Sequence, residues 1–410
     1  SDIGCLEIHG ASLPFMKIIA VDINNIGGIK KLIAPFSESM NIICGPNGIG
    51  KTTILDAISF TFTRHGSDIK KNVRSNGDGI INTRLEINSE VKNITSRAQN
   101  VEPTQQTHNF NEQVDARYLI RFSTERHLNY ARLEHIGVDP ERNDGNISHQ
   151  NNKGVLLNDL KSWLGKRYLL EDSTKGIFTE NSRKNLTLAL SSINELNPDY
   201  HFKRIDGRNF DIFVMTPNGE IWYEYLSSGF KSCMAIIIGI IKEIELRFTT
   251  EDLYASDFDG VILIDEIEMH LHPEWQARIT EVLAAMFPRA QFIVTTHSPH
   301  VVQNGKPEQI IAIEQAEDGE TRVRSQPGRE SGYTGWTVDE VLRDVMGMES
   351  TLSRDLQQKL EEFYCYVDAE DHANALELYE YLDTILHPKN VLRKSLTMSL
   401  DMLQGSGEDA

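Results

Sequence analysis

The sequence predicts an α/β fold, a mixed sheet flanked by helices, with a helical C-terminal region. Three observations carry that prediction. A short apolar strand at 40–44 runs into a glycine-rich loop, and helical spacing of Ile54, Leu55, Ile58 and Phe62 follows it. Two more apolar strands, at 261–264 and 291–295, are separated by a helix opening at Pro273. Beyond Thr337 the pattern is helical throughout.

Taken in chain order, residues 16–24 are β-rich, Gly27-Gly28 forms a turn, and 29–36 return as a second strand. Residues 85–94 form a strand pair around an Asn-Ser turn. The stretches 98–115 and 136–155 are rich in Gln, Asn, Asp, Gly and His, and read as loops on either side of a buried strand at 118–122. Helical patterns dominate 155–196, and 210–223 form a hairpin around Pro217-Asn218-Gly219. A long helix runs from Ser228 to about Phe248, and 309–325 alternate like an edge hairpin. The final helices break near Gly347 and Pro388. These elements divide into a head of residues 1–330, interrupted by a loop and helical insertion at about 96–205, and a tail of 331–410.

With 410 residues, 40% hydrophobic and 25% charged, the chain has the composition of a folded protein. No apolar run approaches the roughly 20 residues that span a bilayer, and no basic-then-apolar leader opens the chain. Cys5, Cys44, Cys233 and Cys365 are scattered, which fits reduced thiols in a cytoplasm. Net charge is −19, and the stretch 331–410 holds 16 acidic against 6 basic residues. Such a tail repels nucleic acid and attracts a basic partner, or forms a solvated helical face. Lys70, Lys71 and Arg74, and Arg117, Arg121 and Arg126, are local basic patches no richer than many surfaces, so direct DNA binding is not legible from charge.

Residues 45–53, Gly-Pro-Asn-Gly-Ile-Gly-Lys-Thr-Thr, fit the phosphate-loop pattern G-x-x-x-x-G-K-[ST] between a strand and a helix. The glycines let backbone N–H groups wrap a β-phosphate, and the helix N-terminus adds partial positive charge. The expected ATP-binding set is Asn47, Gly48, Gly50, Lys51, Thr52 and Thr53. Lys51 bridges the β- and γ-phosphates, and Thr52 is a Mg2+ ligand. The strand at 261–264 ends in Asp265 and Glu266. Asp265 is placed to hold the Mg2+ shell and Glu266 to polarise the attacking water.

The strand at 291–295 leads to His297, and strand C-termini line the ligand crevice of a parallel sheet, so His297 is expected to face the γ-phosphate. Leu226-Ser227-Ser228-Gly229-Phe230-Lys231 opens the long helix about 35 residues before Asp265. A serine at a helix start is also an ordinary N-cap.

In this order, the four motifs resemble those of the ABC ATPase superfamily, and 226–231 resemble its L-S-G-G-Q signature. The most similar branch is the SMC/RecF-like soluble ATPases. The runs 265–276 (Asp-Glu-Ile-Glu-Met-His-Leu-His-Pro-Glu-Trp-Gln) and 295–300 (Thr-Thr-His-Ser-Pro-His) resemble its short, arm-less, defence-associated members. The resemblance covers about 16–325 and implies an ABC-type P-loop ATPase head that forms head-to-tail ATP-sandwich dimers or higher oligomers. In such a dimer Ser227 and Gly229 of one chain complete the site formed by Lys51, Thr52, Asp265, Glu266 and His297 of another, and Arg74 is placed to reach the phosphates.

The sequence departs from that pattern in places. Ser228 and Phe230 replace a glycine and the glutamine of the signature, the glutamine loop has only Gln113 as a weak candidate, and His272 stands where an aspartate is usual. About 175 residues without heptads separate Lys51 from Ser227, so no long coiled-coil arm is expected. No D-x-D follows His297, which argues against an intrinsic nuclease. The stretch 332–343 and the helix at 376–386 resemble tails of the ATPase subunits of Septu and retron-linked anti-phage systems. That likeness implies a separately encoded HNH nuclease partner, with DNA reached through the complex. The alternative is a RecF-like DNA-repair clamp.

Overall fold

The computed structural model describes residues 15–405 apart from 65, 110–112, 127–137, 172–177, 326–331, 349 and 351. Cys5 and the absence of a leader, read from the first residues, lie outside the described residues. The chain divides into two compact units, Ser1–Gly347 and Met348–Ala410.

The first unit opens with β1 (Met16–Ile26), β2 (Ile29–Pro35), β3 (Met40–Cys44), α1 (Lys51–Thr61) and β4 (Gly66–Ser67). Next come β5 (Gly79–Ile87), β6 (Glu90–Ala98), β7 (Thr107–His108), β8 (Leu119–Phe122), α2 (Asp144–Lys153), α3 (Leu160–Leu170) and α4 (Glu180–Leu196). Then follow β9 (His201–Ile205), β10 (Ile212–Thr216), β11 (Gly219–Trp222), α5 (Ser228–Arg247) and β12 (Val261–Ile264). The unit closes with α6 (Pro273–Gln276), α7 (Ile279–Met286), β13 (Gln291–Thr295), α8 (Pro299–Asn304), β14 (Ile310–Gln315), β15 (Thr321–Val323) and α9 (Val338–Glu340).

The central sheet has the order β15-β14-β3-β13-β12-β8. Its inner strands are parallel, and β15 runs antiparallel to β14 on the edge. Every residue of β3, β8, β12 and β13 is buried, which is why these strands are apolar runs without alternation. An antiparallel sheet, β2-β1-β5-β6, and a small one, β11-β10-β9, complete the mixed architecture. Helix α5 is buried nearly all round, as its continuous apolar sequence requires.

Three local expectations are corrected. Residues 144–153 are helix α2, not loop. The Asn143 side chain caps it, accepting from the Asn146 amide. Its buried face includes Ser148, Gln150 and Asn151, so no apolar period announces it. Asn151 Nδ2 donates to the Ala116 carbonyl at 3.0 Å, and Gln150 Oε1 accepts from Arg247 at 2.7 Å. Strand β14 is interior, paired with β3, so only β15 lies on the edge. The hairpin β10–β11 gains a third strand, β9, which pairs antiparallel with β10.

Residues Tyr333, Val341, Val345 and Met346 are buried in the core of the first unit. The second unit holds α10 (Arg354–Asp368), α11 (His372–Ile385) and α12 (Val391–Gly405) around Leu360, Phe363, Leu382, Leu396 and Leu400. Among the described residues no helix is long and apolar enough to cross a membrane.

Candidate active site

Strands β3, β13 and β12 lie side by side and parallel, so the segments after Cys44, Thr295 and Ile264 open at the same, C-terminal end of the sheet. At that end ligands bind in sheets of this kind. The loop 45–50 needs its glycines for conformation and space. Gly45 and Gly50 have φ of 149° and 107°. A Cβ at Gly45 would lie 2.5 Å from the Ile313 carbonyl oxygen, and one at Gly50 would lie 2.8 Å from Ile29 Cγ1.

Helix α1 begins at Lys51, whose Nζ folds back to donate to the carbonyls of Gly45 at 2.8 Å and Pro46 at 3.0 Å. Burial lowers the lysine pKa, against the opposing influence of Cys44, Glu268, Glu266 and Asp265. Asn47 and Gly48 are exposed at the loop tip, and Thr53 packs beneath Gly27 of the β1–β2 turn.

Thr52 Oγ1 donates to both Asp265 oxygens, at 3.2 and 3.0 Å. Thr295, at the end of the intervening strand, ties the arrangement together. Its hydroxyl donates to Asp265 Oδ1 at 2.6 Å and accepts from the Glu266 amide at 2.8 Å. Glu266 has a φ of 45°, in the left-handed region, and its Oε1 lies 3.8 Å from His297 Nε2. Glu268 accepts from Thr296 Oγ1 at 2.7 Å and from the His297 amide at 2.5 Å. Lys51, Thr52, Asp265, Glu266 and His297 are thereby gathered at one end of the sheet.

The other expected residues are Ser227, Gly229, Arg74 and Gln113. Ser227 is exposed and caps α5, accepting from the Phe230 amide at 3.3 Å. Gly229 sits against the segment after β12, where a Cβ would lie 3.1 Å from the His270 carbonyl oxygen. Phe230 is buried with its ring edge-on to Trp275, 5.4 Å between centroids. Among the described residues no hydrogen bond joins Ser227 to the Lys51 cluster. Arg74 is exposed on a loop anchored to the β1–β2 turn by the Asn72 amide donating to Asn25 O at 2.8 Å. Its side chain makes no hydrogen bond to the cluster among the described residues. Gln113 is exposed ahead of β8.

Residues 117, 121 and 126 do not form a surface patch. Arg117 pairs with Asp115 at 2.9 Å and Glu251 at 2.7 Å. Arg121 is buried against Asp56 at 2.5 Å. Arg126 is buried and donates to the backbone carbonyls of Asp265 and Glu266. Thr295, Glu268 and Arg126 are the site residues that sequence reasoning missed. The threonine ending an apolar strand and the second acid of Asp265-Glu-Ile-Glu268 were visible signals, whereas Arg126 carried none.

The donor set suits a hard divalent cation, since Thr52 and Asp265 present oxygens already in contact. The lysine, the positive-φ glycines and the start of α1 suit a phosphate chain. The family described as "AAA domain, putative AbiEii toxin, Type IV TA system" matches residues 40–303, a stretch that runs from β3 into α8 and contains the whole cluster. The "Septu protein PtuA" of Bacillus thuringiensis is 37% identical over 389 residues, 94% of this chain and 98% of that protein. The chain belongs to the Septu PtuA family. A "Retron Ec83 probable ATPase" of Escherichia coli shares 27% identity with this PtuA-family chain over 193 residues, 47% of this chain and 32% of the relative. The SMC head domain from Thermotoga maritima aligns over 75% of this chain and 98% of its own at 14% identity, with a TM-score of 0.39.

Proposed function

We propose that this chain binds and hydrolyses ATP as the ATPase subunit of an anti-phage defence complex, and that it regulates a separately encoded nuclease of HNH type. The observation that carries the ATPase reading is the meeting of Lys51, Thr52, Asp265, Glu266 and His297 at the C-terminal ends of three adjacent parallel strands. The defence reading is supported by likeness to a Septu PtuA across nearly its whole length and to a retron ATPase across part of it.

In this mechanism the backbone at Asn47, Gly48 and Gly50 cradles phosphate, with Thr53 at the first turn of α1. Lys51 exchanges its carbonyl partners for the β- and γ-phosphates. Thr52 and Asp265 would hold Mg2+, which when bound would neutralise phosphate charge. Glu266 takes up a proton as water attacks, and His297 beside it orients toward the γ-phosphate. Arg74 adds charge from the loop behind α1. Ser227 and Gly229 serve the site of a second copy, so ATP closes a head-to-tail dimer and hydrolysis reopens it. The excess of 16 acidic over 6 basic residues in 331–410 repels nucleic acid, which favours a protein partner over a DNA-repair clamp.

The test is expression together with the neighbouring genes, followed by mild purification with ATP and a native mass. Co-purification of a nuclease-sized protein at fixed stoichiometry supports the defence reading. A bare oligomer whose ATPase is stimulated by DNA overturns it in favour of the clamp.

A further inference from the structure

Arg126 lies just beyond β8, the strand that flanks β12 in the central sheet. The residue is only 4% exposed. Nη1 donates to the Asp265 carbonyl at 3.0 Å and Nη2 to the Glu266 carbonyl at 2.6 Å. Its Nε is buried with no hydrogen-bond partner. A cation buried for stability alone is ordinarily paired with a carboxylate. Here both terminal nitrogens go to backbone oxygens, on consecutive residues.

Those two carbonyls bracket the backbone that aims Glu266. At a φ of 45°, that residue holds a conformation that non-glycine residues adopt at a cost, and surrounding contacts must maintain it. Thr295 Oγ1 holds the Glu266 amide at 2.8 Å, and Arg126 holds the carbonyls on either side of the residue. The backbone is thus clamped at three points. The carboxylate it carries stands 3.8 Å from His297 Nε2.

We propose that Arg126 is a positioning residue for ATP hydrolysis, acting through Glu266 by locking its left-handed backbone rather than by touching nucleotide. This rests on the reading in which Glu266 is the base. Lysine cannot replace it, because an ammonium is a point donor and lacks the planar fork that spans two carbonyls.

The experiment compares Arg126→Ala, Arg126→Lys, Glu266→Gln and the double variant Arg126→Ala/Glu266→Gln in the full chain. ATP affinity, KM, kcat and Tm are read for each. The expected result is a fall in kcat of about 10- to 100-fold for both Arg126 variants, the range typical when the partner that orients an active-site group is removed. KM for ATP stays near the wild-type value. The double variant is no slower than Glu266→Gln alone, because the two residues act as a unit. A wild-type kcat in Arg126→Ala, with Glu266→Gln inactive, overturns the positioning role and leaves the ATPase reading standing. If Glu266→Gln turns over at the wild-type rate, the reading of Glu266 itself fails. Should Arg126→Ala not fold, Arg126→Lys decides, since a folded lysine variant with wild-type kcat also overturns the proposal.

Discussion

The Thr52 hydroxyl donates to both oxygens of the Asp265 carboxylate, at 3.2 and 3.0 Å, across 213 positions of sequence. The contact brings the first turn of α1 to the end of β12, over the end of β13 between them. Two oxygen donors held this close form one side of a divalent-cation site. Asp265→Asn is therefore expected to abolish the Mg2+ dependence of nucleotide binding. In titrations with Mg2+ and with EDTA, the wild-type protein loses affinity on chelation and the variant does not change. If both proteins respond alike to EDTA, Asp265 is not a ligand.

Lys51 is held by two carbonyls of its own loop, and burial lowers its pKa. Charge-assisted hydrogen bonds contribute about 1.5–3 kcal/mol each, so Lys51→Ala is expected to weaken ATP binding by about 10- to 100-fold. Calorimetry with a slowly hydrolysed ATP analogue measures it.

Ser227 caps its own helix in the single chain, yet the head-to-tail reading gives it work in a second copy. Losing a cap costs about 1 kcal/mol, so Ser227→Ala is expected to lower Tm slightly and to abolish most turnover. Mixing that variant with Lys51→Ala separates the two effects. Mixed dimers carry one site with both Lys51 and Ser227 intact, so activity recovers above that of either variant alone. No recovery on mixing argues against a shared site.

Glu243, on the inner face of α5, is fully buried among Lys242, Arg247 and Arg142. Burial alone would raise its pKa. The Arg142 hydrogen bond and the three positive charges outweigh burial and depress the pKa from an ordinary 4.5 to about 2. The folded value lies below the unfolded one. The stability from this ionised group is thus full above about pH 4.3, and it is lost as pH falls toward about 2. Glu243→Gln removes the carboxylate that Arg142 and Arg247 share, while Lys242 keeps Asp159, and is expected to cost about 3–5 kcal/mol at neutral pH. It also flattens the pH dependence of urea midpoints between about pH 4.5 and 2. An equally steep acid loss in the variant would place that dependence elsewhere.

The parts of this molecule legible in its sequence are those fixed locally. Strands β3, β12 and β13 are buried on both faces and so read as apolar runs. The glycines of 45–50 and the acids after β12 stand at the strand ends where the pattern stops. What escaped notice depends on distant partners. Helix α2 hides because its inner face is polar and satisfied by Ala116 and Arg247. Arg126 looked like one more surface cation, because nothing nearby in sequence shows that its guanidinium meets the carbonyls of 265 and 266. Thr295 reads as the end of a strand, while its hydroxyl holds the Asp265 carboxylate and the Glu266 backbone amide at the end of the neighbouring strand.

Glu266 is the residue on which hydrolysis turns, and the decisive measurement is steady-state ATP hydrolysis by Glu266→Gln beside its equilibrium ATP binding. A misplaced or missing base lowers turnover by about 10²- to 10⁴-fold. A loss of that size is expected with ATP binding retained, and bound ATP that stays unhydrolysed. Hydrolysis at the wild-type rate would contradict it.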